Sequence, residues 1–392
     1  MSNKRIVTGT VAALTALSVS SAQAVSLGKV GNTSVSMGGY VKFDAMMTSF
    51  SDGAVSAQNL TRDFYIPSLT PVGGTDEDVV FDMHAKQSRI NFKTVTEDGD
   101  DTLTTFFEFD FLASAGGNER ITNSYGPRMR HAFLKWNNWL FGQTWTTFQN
   151  VGSLPESVDF IGNTDAGIFG RQAQIRYTSG PWMFSAENPE TTVSDGGRVV
   201  TDDNSLPDFV VRFNQKSDGL SISYAALIRQ LAYNNTNGGG AAAAGTIDST
   251  ETSVGISITG KMMLGDNDLR FGLNTGSGMG RYIGLNAVNG AVVNGTEIEA
   301  IDSTGVFLSY RLVLGEGARI NLGFSTLSVD NDDAPLAGAG GLESTTRISA
   351  NYMKTVAKGL TLGVELSQAT RENENGAEGD MTRLQFTAKQ GF

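Results

Sequence analysis

The last eleven residues, TRLQFTAKQGF, place Leu384, Phe386, Ala388 and Phe392 on one parity and Arg383, Gln385 and Thr387 on the other. A two-residue period belongs to an extended chain with one apolar face and one wet face. GLTLGVELSQA repeats it, with Leu360, Leu362, Val364 and Leu366 opposing Thr361, Gly363, Glu365 and Ser367. So does TTRISANYM, with Ile348, Ala350 and Tyr352 opposing Arg347, Ser349 and Asn351. Alternation alone suits a soluble sandwich as well as a barrel.

The connections separate the two architectures. Strands are expected at about 34–48, 81–94, 101–112, 128–137, 138–146, 171–179, 181–189, 207–217, 218–231, 249–262, 267–281, 304–314, 318–330, 343–355, 359–371 and 380–392. That makes sixteen, the even number a bacterial barrel requires. Tight connections (TEDGDD, NN, SGP, KSDG, LGDND, GEG, AKG) alternate with long ones throughout. Short periplasmic turns and long external loops are the outer-membrane arrangement, and strands of about ten residues cross a bilayer when tilted. A sandwich has no reason to sort its connections in this way. The expected fold is therefore all-β, a single transmembrane antiparallel barrel over residues 25–392.

Export fits this fold. MSNKRIVTGTVAALTALSVSSAQA has Lys4 and Arg5, an apolar run and Ala22-Gln23-Ala24, the pattern of a signal peptide cleaved after Ala24. The run is too short and too rich in Ser and Thr to anchor a membrane, and no later segment approaches the roughly 18 apolar residues of a spanning helix. With no cysteine in the chain, a disulfide framework, a thiolate metal site and a cysteine nucleophile are excluded. Neither a cofactor nor a nucleic-acid partner is expected.

In RQAQIRYTSG, parity turns Ile175 and Tyr177 to lipid or a neighbouring subunit and Gln174 and Arg176 to a wet lumen. An arginine aimed into the bilayer midplane costs roughly 2–4 kcal/mol. Arg171 has the apolar parity, which places it at the loop end of its strand or beyond a bulge. The same test sends Arg89, Arg128, Arg130, Arg176, Arg212, Arg229, Arg270, Arg311, Arg347 and Arg383 inward. Fewer acids join them, chiefly Glu108, Asp110, Glu187, Asp208 and Glu365. Most acids fall in connections, such as Asp76-Glu77-Asp78, Asp202-Asp203 and Asp330 with Asp332 and Asp333, so the net charge of -12 misdescribes the interior. A basic wall in a low-dielectric cylinder concentrates anions, and the arginine fork suits carboxylates and phosphates. The competing reading is that each arginine braces the wall against an acid, Arg89 with Glu108 first among them.

The middle of the chain resembles the DcaP-like trimeric porins of Gram-negative outer membranes. The resemblance is carried by Arg128-Met129-Arg130-His131-Ala132-Phe133, Gly142-Gln143-Thr144-Trp145 with Phe148, Pro155-Glu156, Asp159-Phe160, Gly162, and Phe169 with Arg171 to Tyr177. KQSRINFKT, Lys86 to Thr94, is similar to the preceding strand of that family. It implies sixteen strands, a homotrimer, a third loop folded into the barrel and uptake of dicarboxylates and related organic anions. Some members carry a coiled coil before the barrel, for which Val25 to Ser34 leaves no room.

The resemblance makes residues 147–170 the constriction loop. Glu156 and Asp159 would then face wall arginines, Arg89, Arg128, Arg130, Arg171 and Arg176, and set a field across a narrowed section. The rest of the pore wall would carry Arg212, Arg311, Arg347, Arg383 and Glu108. The competing role for Glu156 and Asp159 is to tie the loop to those same arginines.

Phe392, ending an amphipathic strand, resembles the signal read by the outer-membrane assembly machinery. Tyr40, Trp139, Tyr177, Trp182, Tyr224, Tyr310 and Tyr352 are girdle or subunit-contact candidates, with lipid and lipopolysaccharide as surroundings. His84 and His131 have outward parity by the same count and read as interface or headgroup contacts; neither has a Ser-centred motif for catalysis. GGGAAAAG, Gly238 to Gly245, reads as an external loop, and the acidic clusters lack calcium-loop spacing. The function expected is passive diffusion of small anions across the outer membrane. Alternatives are a sugar-selective pore, which would need an interior aromatic stair, and a plugged structural or adhesin barrel.

Overall fold

A computed structural model describes residues 24–114, 121–237, 246–331 and 340–392. The expected signal peptide, all but its last residue, lies outside the described residues, as do Gly238 to Gly245, Asp332 and Asp333.

Sixteen antiparallel strands close into one barrel. In chain order they are β1 (Thr33–Phe50), β2 in two pieces (Asp78–His84 and Arg89–Asp98), β3 (Asp101–Asp110), β4 (Arg128–Trp136), β5 (Trp139–Trp145), β6 (Arg171–Ser179), β7 (Trp182–Glu187) and β8 (Asp208–Ser217). They continue as β9 (Leu220–Asn234), β10 (Asp248–Leu264), β11 (Asn267–Ser277), β12 (Asp302–Gly315), β13 (Ala318–Asp330), β14 (Leu342–Ala357), β15 (Leu360–Asn373) and β16 (Glu378–Gly391). Each tight connection read in the sequence is a turn between neighbouring strands. The seam joins β1 to β16 from Tyr40 opposite Gly391 to Phe50 opposite Met381. Gly39 and Phe392 then exchange backbone hydrogen bonds at 3.2 and 3.1 Å. On the other side of β1, a Cβ at Gly39 would come 2.2 Å from the Arg89 carbonyl oxygen, so the pairing with β2 needs glycine there. Closure leaves no strand edge, which is what a bilayer demands of a sheet.

Side chains sort as the alternation dictates. Along β1 the outward Val41, Phe43 and Met47 are exposed to the surroundings of the barrel, and the inward Lys42, Asp44 and Thr48 are buried. Leu384 and Phe386 point out of β16 while Arg383, Gln385 and Thr387 point in. Trp139, Trp182, Tyr224 and Tyr352 are exposed on the outside. Trp139 packs against Tyr177 at 4.8 Å and Trp182 against Phe213 at 4.7 Å.

Three assignments by parity are corrected. β2 breaks at residues 85–88, so the parity of its second piece does not extend back, and His84 turns inward opposite Asp44. A bulge sets Glu108 opposite His131 but Phe109 opposite Met129, so Arg130 and His131 both face the lumen. Neither histidine is a headgroup contact: both are buried. Tyr40 is likewise inward, with the Arg89 guanidinium 4.7 Å and the Lys389 ammonium 4.1 Å from its ring centre.

Two further elements were not foreseen. Val25–Val30 pairs with the start of β1. Long loops also build a four-stranded sheet from Arg198–Thr201, Thr191–Ser194, Ala291–Asn294 and Glu297–Ala300, its central pair parallel. It packs Val193, Ala291 and Ile298 on Leu231, Tyr233 and Ile247. Strands of four residues carry too little alternation to be read from sequence.

Candidate functional site

The segment between β5 and β6 runs into the lumen and is held along its length by inward side chains of the wall. Glu187 accepts from the Thr147 amide at 2.7 Å. Arg212 donates to the Thr147 and Gln149 carbonyls. Asn150 caps the one-turn helix Val151–Ser153 through the Gly152 amide at 3.0 Å, and the Leu154 carbonyl takes Arg270. Pro155 and Glu156 follow, with Glu156 gripped by Arg319 of β13 at two points.

The loop tip is organised by one buried carboxylate, Glu365 of β15. It accepts from the Ser157 hydroxyl and Val158 amide, each at 2.8 Å, and from the Asp159 amide at 3.4 Å. Arg347 and Asn351 of β14 supply the remaining donors at 2.8 and 2.9 Å. Removing a carboxylate from water is costly unless every lone pair is met, and here they are met. Lys42 bonds the Val158 carbonyl at 2.9 Å. Asp159 accepts from the Tyr65 amide at 3.2 Å and stands 3.8 Å from Arg347 and 3.9 Å from Arg383.

On its way out, the loop meets the connection between β1 and β2. Asp165 accepts from the Tyr65 hydroxyl at 2.7 Å and from Ser325 at 2.6 Å. Burial and then the charge of Asp165 push the Tyr65 phenol well above its ordinary range, so it stays a donor. Burial raises Glu156 too, but the Arg319 bonds, with the charges of Arg319, Arg311 and Arg270, outweigh it and hold the carboxyl below its ordinary range. Phe64, Phe160, Phe169 and Trp145 meet edge to face at 4.8 to 5.4 Å, a packed cluster and not an open stair.

Four arginines gather where β3 to β6 meet their loops and β2 breaks. Arg130 reaches Glu108 at 2.7 Å and Asp110 at 2.9 Å. Arg128 holds Asp110 bidentately, both bonds 2.9 Å, and Arg89 stands 3.5 Å from Glu108. Arg171, the first residue of β6, stacks on Trp145 at 4.4 Å and on Phe169 at 5.6 Å, with one guanidinium nitrogen buried and unbonded. It makes no ion pair among the described residues, so four cations face two carboxylates. Among the described residues, Arg176 bonds Gln174 and the Trp145 carbonyl. Phe160 of the loop stands over this group, 5.7 Å from Arg130 and 5.9 Å from Arg128.

The expected facing of loop acids and arginines is therefore rearranged. Glu156 and Asp159 are fastened to Arg319, Arg347 and Arg383 on β13, β14 and β16, away from the Arg128 group on β4. Arg347 and Arg383 are 1% exposed and lie beneath the loop, not on an open wall. The competing role, tying down the loop, is what their contacts describe, because the loop crosses the lumen before its acids point outward. Arg319 lies within the expected strand 318–330 and shares the parity of Asn321 and Ser325, but it was not among the expected wall arginines. Lys42 and Tyr65 carry no local mark in the sequence, whereas Asp165 belongs to the loop residues expected to anchor it and does so through Tyr65 and Ser325.

The family model of the DcaP outer membrane protein matches residues 31–392. Comparison with curated proteins finds no match. Among solved structures, the outer membrane channel DcaP of Acinetobacter baumannii superposes with a TM-score of 0.74 at 24% identity, over 92% of this chain and 98% of that one. OmpF of Salmonella typhi, in complex with daunomycin, gives 0.55 at 13% identity, over 91% and 98%. The trimer form of OmpT of Vibrio cholerae gives 0.53 at 12%, over 92% and 100%.

Proposed function

The chain belongs to the DcaP outer membrane protein family, and from that premise we propose that this porin passes small anionic solutes, dicarboxylates and related organic acids first among them, by diffusion through the Gram-negative outer membrane. Family and fold point to transport and not to catalysis. The observation that carries the preference is the imbalance at Arg89, Arg128, Arg130 and Arg171, where among the described residues four guanidinium groups meet two carboxylates, Glu108 and Asp110. Focused by low-dielectric walls, that excess raises the local concentration of anions. Arg171 alone of the four has no acid partner among the described residues, which leaves its charge to a carboxylate that reaches it.

A homotrimer is part of the reading, supported by the exposed apolar belt and by the trimer form of OmpT. Swelling of liposomes carrying the protein tests it. Succinate should enter several-fold faster than a neutral sugar of similar size, and a faster sugar would refute the preference.

A further inference from the structure

A second concentration of positive charge lies at the turn end of the barrel, away from the Arg128 group. Lys261, near the end of β10, is paired in register with Arg270 of β11, and Arg311 of β12 with Asp268. Arg270 and Arg311 share the buried Asp268 carboxylate at 2.7 and 2.6 Å. Lys261 lies within electrostatic reach of all three and makes no ion pair among the described residues. Arg319, the second residue of β13, brings Glu156 to the same region, where that carboxylate also senses Arg311 and Arg270.

Four cations against two carboxylates leave about two positive charges uncompensated, on side chains that keep access to water: that of Arg311 is 27% exposed. The Arg311 Nε has no hydrogen-bond partner. The inward loop touches both basic groups, giving its Leu154 carbonyl and Glu156 to this one and Phe160 to the other.

From this juxtaposition we infer a second oxyanion site, formed by Lys261, Arg270 and Arg311 with Arg319 at its edge, on the periplasmic side of the loop. It rests on the anion-pore reading and deepens it. An oxyanion, carboxylate or phosphate, meets the Arg311 fork and the Lys261 ammonium there. Asp268 limits the strength of the grip, as a site that must also release its solute requires. A solute crossing the barrel is bound once on each side of the loop.

The test is a planar-bilayer measurement on Lys261→Gln/Arg311→Gln, which removes the excess charge but leaves Arg270 on Asp268. Succinate and inorganic phosphate are added separately to each face. The wild type should be interrupted from both faces. The double variant should lose at least about tenfold in apparent affinity from one face and stay within about twofold from the other. Loss for succinate alone assigns the site to carboxylates, and for phosphate alone to phosphates; either supports it. Unchanged interruption from both faces overturns the site, and equal loss from both overturns its separateness. Conductance steps report folding, and Arg311→Lys alone, which keeps the charge and loses the fork, should lose less from that face than the double variant. A wild type without chloride preference or interruption refutes the anion-pore reading and the site together. Retained preference with an indifferent double variant refutes the site alone.

Discussion

Arg319 and Glu156 meet at two points, Nη2 to Oε1 at 2.5 Å and Nε to Oε2 at 2.7 Å, so that a residue of the inward loop is clasped by the start of β13. The pair is partly open to solvent, at 17% and 25% side-chain exposure, so it is worth only about 1 kcal/mol. Arg319→Gln should therefore leave thermal stability nearly unchanged and make the open-channel current noisier and larger. Quiet wild-type conductance in the variant would contradict this.

The same clasp gives a pH dependence. Because the folded-state pKa of Glu156 lies below its unfolded value, its contribution is fully present above that unfolded value, about 4.3, and is lost as the pH falls through the folded one. Current noise should stay flat from neutral pH to about 4.3 and rise only below it. Glu156→Gln should be noisy at every pH, and a wild-type transition near neutrality would rule the clasp out as its source.

Arg347 and Glu365 form the buried counterpart of this contact, each 1% exposed and 2.8 Å apart. Glu365→Ala strands the guanidinium and three loop donors, so the folded barrel should lose about 3–5 kcal/mol. Heat-induced unfolding followed by gel mobility measures it; a melting temperature within a degree or two of the wild type would contradict the anchor.

Arg171 offers the opposite case. It has aromatic neighbours and no acid partner, so Arg171→Gln should lower chloride preference without lowering the melting temperature. Arg130→Gln should do both, since it abandons Glu108 and Asp110. Equal stability of the two variants would show that Arg130 is not the brace.

The sixteen strands were legible because lipid rewards every second residue: Ile175, Leu384 and Phe386 had to face outward whatever the loops did. Ile175→Arg should accordingly cost about 2–4 kcal/mol in refolding from urea into vesicles, provided that Ile175 lies near the midplane. Register was less legible. A single bulged residue beside Arg130 and a break before Arg89 reversed the parity of His131 and His84, and neither irregularity has a sequence mark. The arginines of the wall were found by the same rule, as was the pairing of Arg89 with Glu108, but the partners of the loop acids were not. Whether Glu156 meets Arg128 or Arg319 depends on the path of a loop across the lumen, and Glu365 became its anchor through backbone amides that alternation does not describe.

The anion reading is exposed most directly by the reversal potential of single channels under a KCl gradient. Excess charge at Arg89, Arg128, Arg130 and Arg171 predicts a potential of the sign set by chloride, reduced in Arg171→Gln. A potential of the sign set by potassium would mean that acids of the loops and wall neutralise the arginines, and would contradict the account.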